Sequence, residues 1–161
     1  MHSGTKYMGG HSDVLLGLVT ASPYTERGKE LAPLLRQVQH YVGGVASPMD
    51  SWLALRGLRT LHVRVPRQCQ TALTLAEHFE SLQSSSQSLI TAVHYPGLKS
   101  HPNHQIATQQ MKSDIGYGGV LSVELESEQM AMAFCGALQT IYRATSLGGT
   151  ETLIEHRASI E

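Results

Sequence analysis

The clearest periodic pattern in the chain lies at residues 66–82, where apolar side chains recur at the spacing of one helix face. They are Ala72, Leu75, Ala76, Phe79 and Leu82. A neutral, serine-rich stretch at residues 83–88 follows, and residues 89–95 then form an apolar run that closes at Pro96-Gly97. Such a run predicts a strand. A long amphipathic helix followed by a strand indicates an α/β arrangement.

Three elements are predicted before this helix. Residues 13–21 form a short apolar run bounded by polar residues, which predicts a buried strand. Residues 30–42 have helical spacing, with Pro33 placed in the first turn, where proline is tolerated. A second helix is predicted over residues 49–55, with Ser47 as a candidate N-cap and Pro48 at the first helical position.

Three further elements are predicted after the strand at residues 89–95. They are a short helix over residues 104–112, a strand over residues 119–126 and a helix over residues 128–143. The last helix is expected to turn four side chains inward: Met130, Phe134, Leu138 and Ile141. This order of elements indicates two unequal pieces that meet near Pro66.

Composition excludes several classes of protein. The chain has 161 residues, of which 12 are basic and 13 acidic, so its net charge of −1 argues against a nucleic-acid-binding surface. Charged residues make up 16% of the chain, where about 25% is usual. This shortfall indicates that other subunits or further chain cover part of the surface.

Targeting and redox signals point to a cytoplasmic protein. No apolar run approaches the roughly 18 residues of a membrane-spanning helix, and the first residues lack the pattern of a secretory signal. Cys69 and Cys135 do not form a C-x-x-C pair. Reduced, structural thiols are therefore expected.

The segment with the most chemical information is SGTKY at residues 3–7. The hydroxyls of Ser3 and Thr5 flank Lys6, and nearby glycines let the backbone approach a ligand. A lysine whose charged form is disfavoured can form an imine with an aldehyde cofactor, and hydroxyls can donate to a phosphate. This is the chemistry of pyridoxal phosphate. On spacing alone, a surface lysine in a turn is the competing interpretation.

Two other features have a structural and a functional interpretation. His101 and His104 have a spacing that can suit zinc on a helix, but the sequence supplies no third or fourth ligand, so a structural role is favoured. Trp52 lies on an apolar helix face and is predicted to be a core residue rather than a stacking partner.

Four segments, in order along the chain, resemble the signatures of one enzyme family. The first is the lysine segment. The others are SPMDSWLALRGLRTL at residues 47–61, similar to S-P-x-D-x-W-L-x-L-R-G-L-x-T-L; HPNH at residues 101–104, similar to H-P-x-H; and SLGGTETL at residues 146–153, similar to S-L-G-G-x-E-[ST]-L. The chain thus resembles the cysteine/methionine-metabolism (transsulfuration) family of pyridoxal-phosphate enzymes, which includes cystathionine γ-synthase, cystathionine γ- and β-lyases and methionine γ-lyase.

The resemblance implies a cofactor and a role for four residues. The cofactor is pyridoxal 5'-phosphate, held by Lys6 as an imine, and Lys6 then moves protons at Cα and neighbouring carbons of the substrate. Ser3 and Thr5 bind the cofactor phosphate. Ser146 lies beside the substrate carboxylate.

The resemblance also implies a fold and a division into domains. Residues 1–64 correspond to the C-terminal portion of the large pyridoxal-phosphate-binding domain, of the aspartate-aminotransferase-like fold type I. Residues 65–161 correspond to a truncated small α+β C-terminal domain. In the family, the aspartate that pairs with the pyridine nitrogen and the tyrosine that stacks on the ring precede the lysine, and a late arginine binds the substrate carboxylate. We therefore expect the chain to be a C-terminal fragment of a longer enzyme.

The implied reaction is elimination or replacement at the β or γ carbon of a sulfur amino acid or an activated homoserine. Which reaction applies stays open, and Thr145 stands where several γ-synthases and γ-lyases have an acidic residue. The parent enzyme is expected to be a homo-oligomer, a tetramer built as a dimer of dimers, and the isolated chain to have little or no turnover. The alternative is a non-catalytic truncated paralogue that associates with full-length subunits.

Overall fold

The structure, a computed structural model, describes residues 1–112 and 114–159. It divides the chain into two compact units, Met1–Arg59 and Thr60–Glu161. Both units contain helices and short strands, as the sequence pattern predicted. In the described part of the chain, no helix is both long and apolar enough to cross a membrane.

The first unit begins with a short antiparallel pair, β1 (His2–Ser3) and β2 (Gly17–Leu18). The prediction of a buried strand over residues 13–21 is wrong for most of its length. Val14 is buried, but Leu15 is 87% exposed. The ladder is short because the backbone of Leu16 bonds to a turn, through residues 4 and 5, instead of extending a strand.

Helix α1 (Glu26–Val42) begins earlier than residue 30 because Thr25 caps it, its hydroxyl accepting from the Gly28 N–H at 3.1 Å. The earlier start places Pro33 inside the helix and corrects its expected position in the first turn. The helix ends at Gly43, whose φ of 84° is left-handed and therefore suits glycine.

Helix α2 (Pro48–Leu58) starts where the cap chemistry predicted. Ser47 and Asp50 form a capping box: the Ser47 hydroxyl accepts from the Asp50 N–H at 3.1 Å, and the Asp50 carboxylate accepts from the Ser47 N–H at 3.4 Å. Trp52 is 56% exposed in this unit, so its prediction as a core residue is wrong.

The second unit is organised around its longest helix, α3 (Leu61–Gln83), which begins before residue 66 and so includes Pro66 in its interior. The helix packs on β3 (Ile90–His94), which pairs antiparallel with β4 (Ser122–Leu125). The core of the unit comprises Ala72, Ala76, Tyr95 and Leu98. Two of the five predicted apolar positions thus lie in the core, whereas Leu82 is 44% exposed.

Tyr95 joins the elements of this core. Its hydroxyl lies 2.9 Å from the Gly118 carbonyl oxygen and 3.3 Å from that of Cys69, and either can accept its proton. A buried tyrosine therefore keeps its polar atom satisfied inside an apolar cluster.

The remaining elements are α4 (His104–Gln110), α5 (Glu128–Ala137), β5 (Tyr142–Arg143), β6 (Leu153–Ile154) and a 3-10 turn at Arg157–Ser159. The prediction of a helix through residue 143 is wrong, because Leu138 is extended and β5 pairs parallel with β6. Phe134 and Met130 are more than a third exposed, and Cys135 is the buried residue on this helix.

Candidate functional site

Lys6 lies in a backbone-braced turn at the start of the first unit, here called the lysine loop (residues 3–10). Inside the loop, the Gly9 N–H donates to the Gly4 carbonyl at 2.7 Å, and the Gly10 N–H donates to the Lys6 carbonyl at 2.8 Å. The Gly4 N–H also donates to the Leu16 carbonyl at 2.7 Å. The loop therefore fixes the Cα of Lys6, whose side chain is half-buried.

Thr5 connects this loop to the following segment through its side chain. Its hydroxyl oxygen accepts from the Leu16 N–H at 3.0 Å, so its orientation is fixed while its own hydrogen can still be donated. Ser3, at the end of β1, is exposed. The structure thus brings three of the four predicted site residues, Ser3, Thr5 and Lys6, onto one loop.

The packing around the lysine loop requires glycine at one position in the loop and at one position on α2. A Cβ atom added at Gly9 would lie 2.6 Å from Cγ1 of Val14. One added at Gly57, on α2, would lie 2.5 Å from the Met8 carbonyl oxygen and would overlap that of Gly9. Sequence reasoning did not single out Gly57, although it lies in the R-G-L part of the signature at residues 47–61.

Ser146, the fourth predicted residue, lies in the second unit, on the serine loop (residues 144–152) that connects β5 to β6. At the start of the loop, the Ala144 N–H donates to the Ile154 carbonyl at 3.0 Å. Ser146 is exposed and has a left-handed φ of 70°, and Gly148 has a φ of 123°. A left-handed conformation at a serine costs energy and persists only where surrounding contacts enforce it.

One such contact comes from Gln68 on α3. Its Nε2 donates to the Gly149 carbonyl at 2.6 Å. Because a carbonyl only accepts, the amide nitrogen of Gln68 must face the loop. Gln68 Oε1 is then a buried acceptor with no hydrogen-bond partner among the described residues. A buried unsatisfied acceptor costs about 1–3 kcal/mol. No sequence signal pointed to Gln68.

The two histidines of the HPNH segment have structural contacts. His104 Nδ1 lies 2.9 Å from the Pro96 carbonyl oxygen, and His101 Nδ1 accepts from the Asn103 N–H at 3.2 Å. Within residues 1–112 and 114–159, no group of three His, Cys, Asp or Glu side chains could hold a metal ion.

One ionisable group on α3 is perturbed by its surroundings. Burial lowers the pKa of Arg64 from its ordinary value, since desolvation disfavours the charged guanidinium. Arg64 Nε donates to the Thr60 hydroxyl at 2.9 Å, at the start of the helix.

Comparisons with known proteins place this geometry in a family. The family model described as "Cys/Met metabolism PLP-dependent enzyme" matches residues 1–161. A cystathionine β-lyase of Lactococcus lactis subsp. cremoris is 43% identical over 155 residues, 96% of this chain and 37% of the relative. A chloroplastic cystathionine γ-synthase 1 of Nicotiana tabacum is 39% identical over 159 residues, 98% of this chain and 27% of the relative.

A solved structure has the same fold. The crystal structure of cystathionine γ-lyase from yeast superposes with a TM-score of 0.84 at 37% identity and covers 98% of this chain and 38% of the yeast chain. The chain therefore belongs to the Cys/Met-metabolism family of pyridoxal-phosphate-dependent enzymes, and its α/β fold is a part of theirs. It spans 37% of the length of the lactococcal relative.

The residues of the lysine loop fit a phosphorylated aldehyde. Within four consecutive positions, Ser3 to Lys6, the loop offers two hydroxyls and one primary amine, and the Thr5 hydroxyl is held by Leu16 with its hydrogen available to a phosphate oxygen. Backbone contacts on both sides of Lys6 fix the position from which its amine extends. This donor set suits pyridoxal phosphate.

Proposed function

We propose that the chain provides the lysine and the substrate-carboxylate loop of a transsulfuration enzyme. The reaction class is elimination or replacement at the β or γ carbon of a sulfur amino acid or an activated homoserine, with substrates of the cystathionine, homoserine-ester, cysteine or methionine class. One observation carries the proposal: the family match over residues 1–161 includes a half-buried lysine in a braced, glycine-rich loop.

Lys6 is the proposed catalytic residue. Bound pyridoxal phosphate supplies an electron sink that makes protons on the carbons next to the substrate amine easier to remove. Lys6 Nζ would hold the cofactor, and as a free amine it would accept and return protons at Cα and the neighbouring carbons of the substrate. The backbone hydrogen bonds of the lysine loop fix the point from which the Lys6 side chain extends, which restricts where its amine can reach.

Ser3 and Thr5 are the proposed phosphate ligands. The Thr5 hydroxyl is oriented by its bond from Leu16, so it can donate without first losing rotational freedom. Ser3 is exposed at the first position of the loop, where its hydroxyl can add a second donor. Both would hold the cofactor beside Lys6.

Ser146 is the proposed contact to the substrate carboxylate. It has a left-handed backbone in a loop that is held at its start and in its middle. We further propose that residues 1–64 belong to the large cofactor domain and residues 65–161 to the small domain. The parent enzyme is proposed to be a homo-oligomer, which the low charged fraction of 16% supports.

Borohydride trapping on the purified chain tests the role of Lys6. Pyridoxal phosphate followed by reduction should give one dominant adduct, on the peptide that contains Lys6. Lys6→Arg should abolish this adduct, and Lys29→Arg, at an exposed lysine on α1, should leave it unchanged. Equal labelling of Lys6, Lys29 and Lys99 would contradict the proposal.

A chimera tests the reaction class. The matched 155 residues of the lactococcal cystathionine β-lyase are replaced by those of this chain, and turnover of cystathionine is measured. The chimera should be active and its Lys6→Ala variant inactive, whereas the isolated chain should show little or no turnover. An active Lys6→Ala chimera would refute the assignment of Lys6.

A second candidate function is association without catalysis, as a truncated paralogue bound to full-length subunits. Exposed apolar side chains on α1 and α2 favour it: Leu34 (51%), Val38 (57%), Tyr41 (82%) and Leu55 (64%). This candidate predicts co-purification with a full-length family member and no trapping at Lys6. Selective trapping at Lys6 would count against it.

A further inference from the structure

The side chain of Gln68 holds the serine loop, and this contact has a cost in folding free energy because it leaves a buried acceptor unsatisfied. Its Nε2 reaches the Gly149 carbonyl at 2.6 Å, and its Oε1 is buried with no hydrogen-bond partner among the described residues. Rotating the amide would not help, because the oxygen would then face the Gly149 carbonyl. An apolar side chain of the same length would avoid the buried acceptor.

The contact from Gln68 lies next to the left-handed part of the serine loop. Gly149 follows two left-handed residues, Ser146 (φ 70°) and Gly148 (φ 123°). The pairing of β5 with β6 holds the start of the loop through the Ala144 N–H, and Gln68 holds its middle from a different element. Contacts on both sides of Ser146 are what a left-handed serine needs in order to persist.

Helix α3 is itself a firm support at this point. The residue after Gln68, Cys69, is 3% exposed, and its carbonyl faces the fully buried Tyr95 hydroxyl at 3.3 Å. Gln68 therefore links the loop that carries Ser146 to the core of the second unit.

We propose that Gln68 is a positioning residue: it fixes the backbone of the serine loop so that Ser146 faces the carboxylate of an amino-acid substrate. The proposal rests on the proposed function, in which Ser146 contacts the substrate carboxylate. Hydrogen exchange in the serine loop tests the contact from Gln68 independently of that function. Gln68 acts only through the Gly149 carbonyl and touches no reacting atom.

The first test uses the full 161-residue chain and the variant Gln68→Met, with Gln70→Met as the matched control. Gln70 is an exposed glutamine of α3 whose Oε1 accepts from Arg67 at 3.3 Å. In Gln68→Met, amide hydrogen exchange at residues 145–150 should be faster by about ten-fold, while exchange in β3 and β4 is unchanged. The melting temperature should stay within about 2 °C of the wild type, because the buried acceptor is removed together with the bond.

The second test uses the chimera with the lactococcal enzyme. Gln68→Met should raise KM for cystathionine about five-fold with kcat changed by less than about two-fold, since positioning affects carboxylate binding. Gln70→Met should change neither. A residue with only a structural role would lower the melting temperature and leave KM unchanged.

The outcomes separate the two proposals. Exchange at residues 145–150 that is equal in Gln68→Met and Gln70→Met overturns the positioning role, and so does an unchanged KM in an active chimera. A loosened loop in a chimera that is inactive even with Gln68 supports the loop contact and refutes the proposed function.

Discussion

Gly57 on α2 and Gly9 on the lysine loop are in direct backbone contact, with no room for a methyl group between them. The contact sets the distance between the helix of the S-P-x-D-x-W signature and the loop that carries Lys6. It gives that signature a structural reason: its glycine lets the helix support the lysine loop. We therefore expect Gly57→Ala to disturb the loop.

In Gly57→Ala the added Cβ would overlap the Gly9 carbonyl oxygen, so the loop or the helix must move. We expect a loss of about 1–3 kcal/mol in the free energy of unfolding, typical of overpacking. Urea denaturation measures it. Borohydride trapping at Lys6 should fall in parallel.

Gly136 on α5 provides the matched control, because a Cβ there would meet nothing within 4 Å. Replacing a helical glycine by alanine without steric cost stabilises by about 0.5–1 kcal/mol. Gly136→Ala should therefore raise stability while Gly57→Ala lowers it. Equal stabilisation by both substitutions would show that the Gly57 contact is not limiting.

Thr5 is expected to act through its hydroxyl alone. Thr5→Val keeps the shape but leaves the Leu16 N–H without its acceptor, which should cost about 0.5–1.5 kcal/mol in urea denaturation. Thr5→Ser keeps the acceptor and should stay within about 0.5 kcal/mol of the wild type. Trapping of pyridoxal phosphate should drop in the valine variant and persist in the serine variant. If both variants trap equally well, Thr5 is not a phosphate ligand.

The capping box of α2 predicts a stability effect. Ser47→Ala removes the acceptor of the Asp50 N–H and should lower the free energy of unfolding by about 1 kcal/mol. Ser47→Thr should retain most of the stability because threonine is also a good N-cap and keeps the hydroxyl that donates to the Asp50 carboxylate. Ser51→Ala, at an exposed position in the same helix, serves as the control and should have little effect. Equal losses of stability in Ser47→Ala and Ser51→Ala would show that the capping box does not stabilise α2.

The sequence predicted what local chemistry determines. The start of α2 followed from Ser47 and Pro48, and the core face of α3 followed from the spacing of Ala72 and Ala76. The end of α5 could not be predicted in this way, because β5 forms by pairing with β6, at Leu153–Ile154. The helical spacing at residues 138–143 is overridden by this non-local pairing.

In the candidate site, too, local motifs could be predicted from the sequence and contacts between distant residues could not. The proposed site residues lie in contiguous sequence motifs: Ser3, Thr5, Lys6 and Ser146. The contact from Gln68 to Gly149 joins residues 81 positions apart, so the sequence around neither residue predicts it. Gly57 lay inside a recognised signature, but its reason, a close approach to Gly9, appears only in three dimensions.

The glycine and threonine variants of Ser146 should rank in opposite order for stability and for affinity for cystathionine. Its φ of 70° strains a serine but not a glycine, so Ser146→Gly should raise the free energy of unfolding by about 0.5–1 kcal/mol. Ser146→Thr adds a β-branch to a left-handed residue and should lower it, although the hydroxyl is retained. In the chimera, the glycine variant should lose affinity for cystathionine because it lacks the hydroxyl, and the threonine variant should retain more of it. A glycine variant that is more stable and binds cystathionine as well as the wild type would remove Ser146 from the carboxylate site.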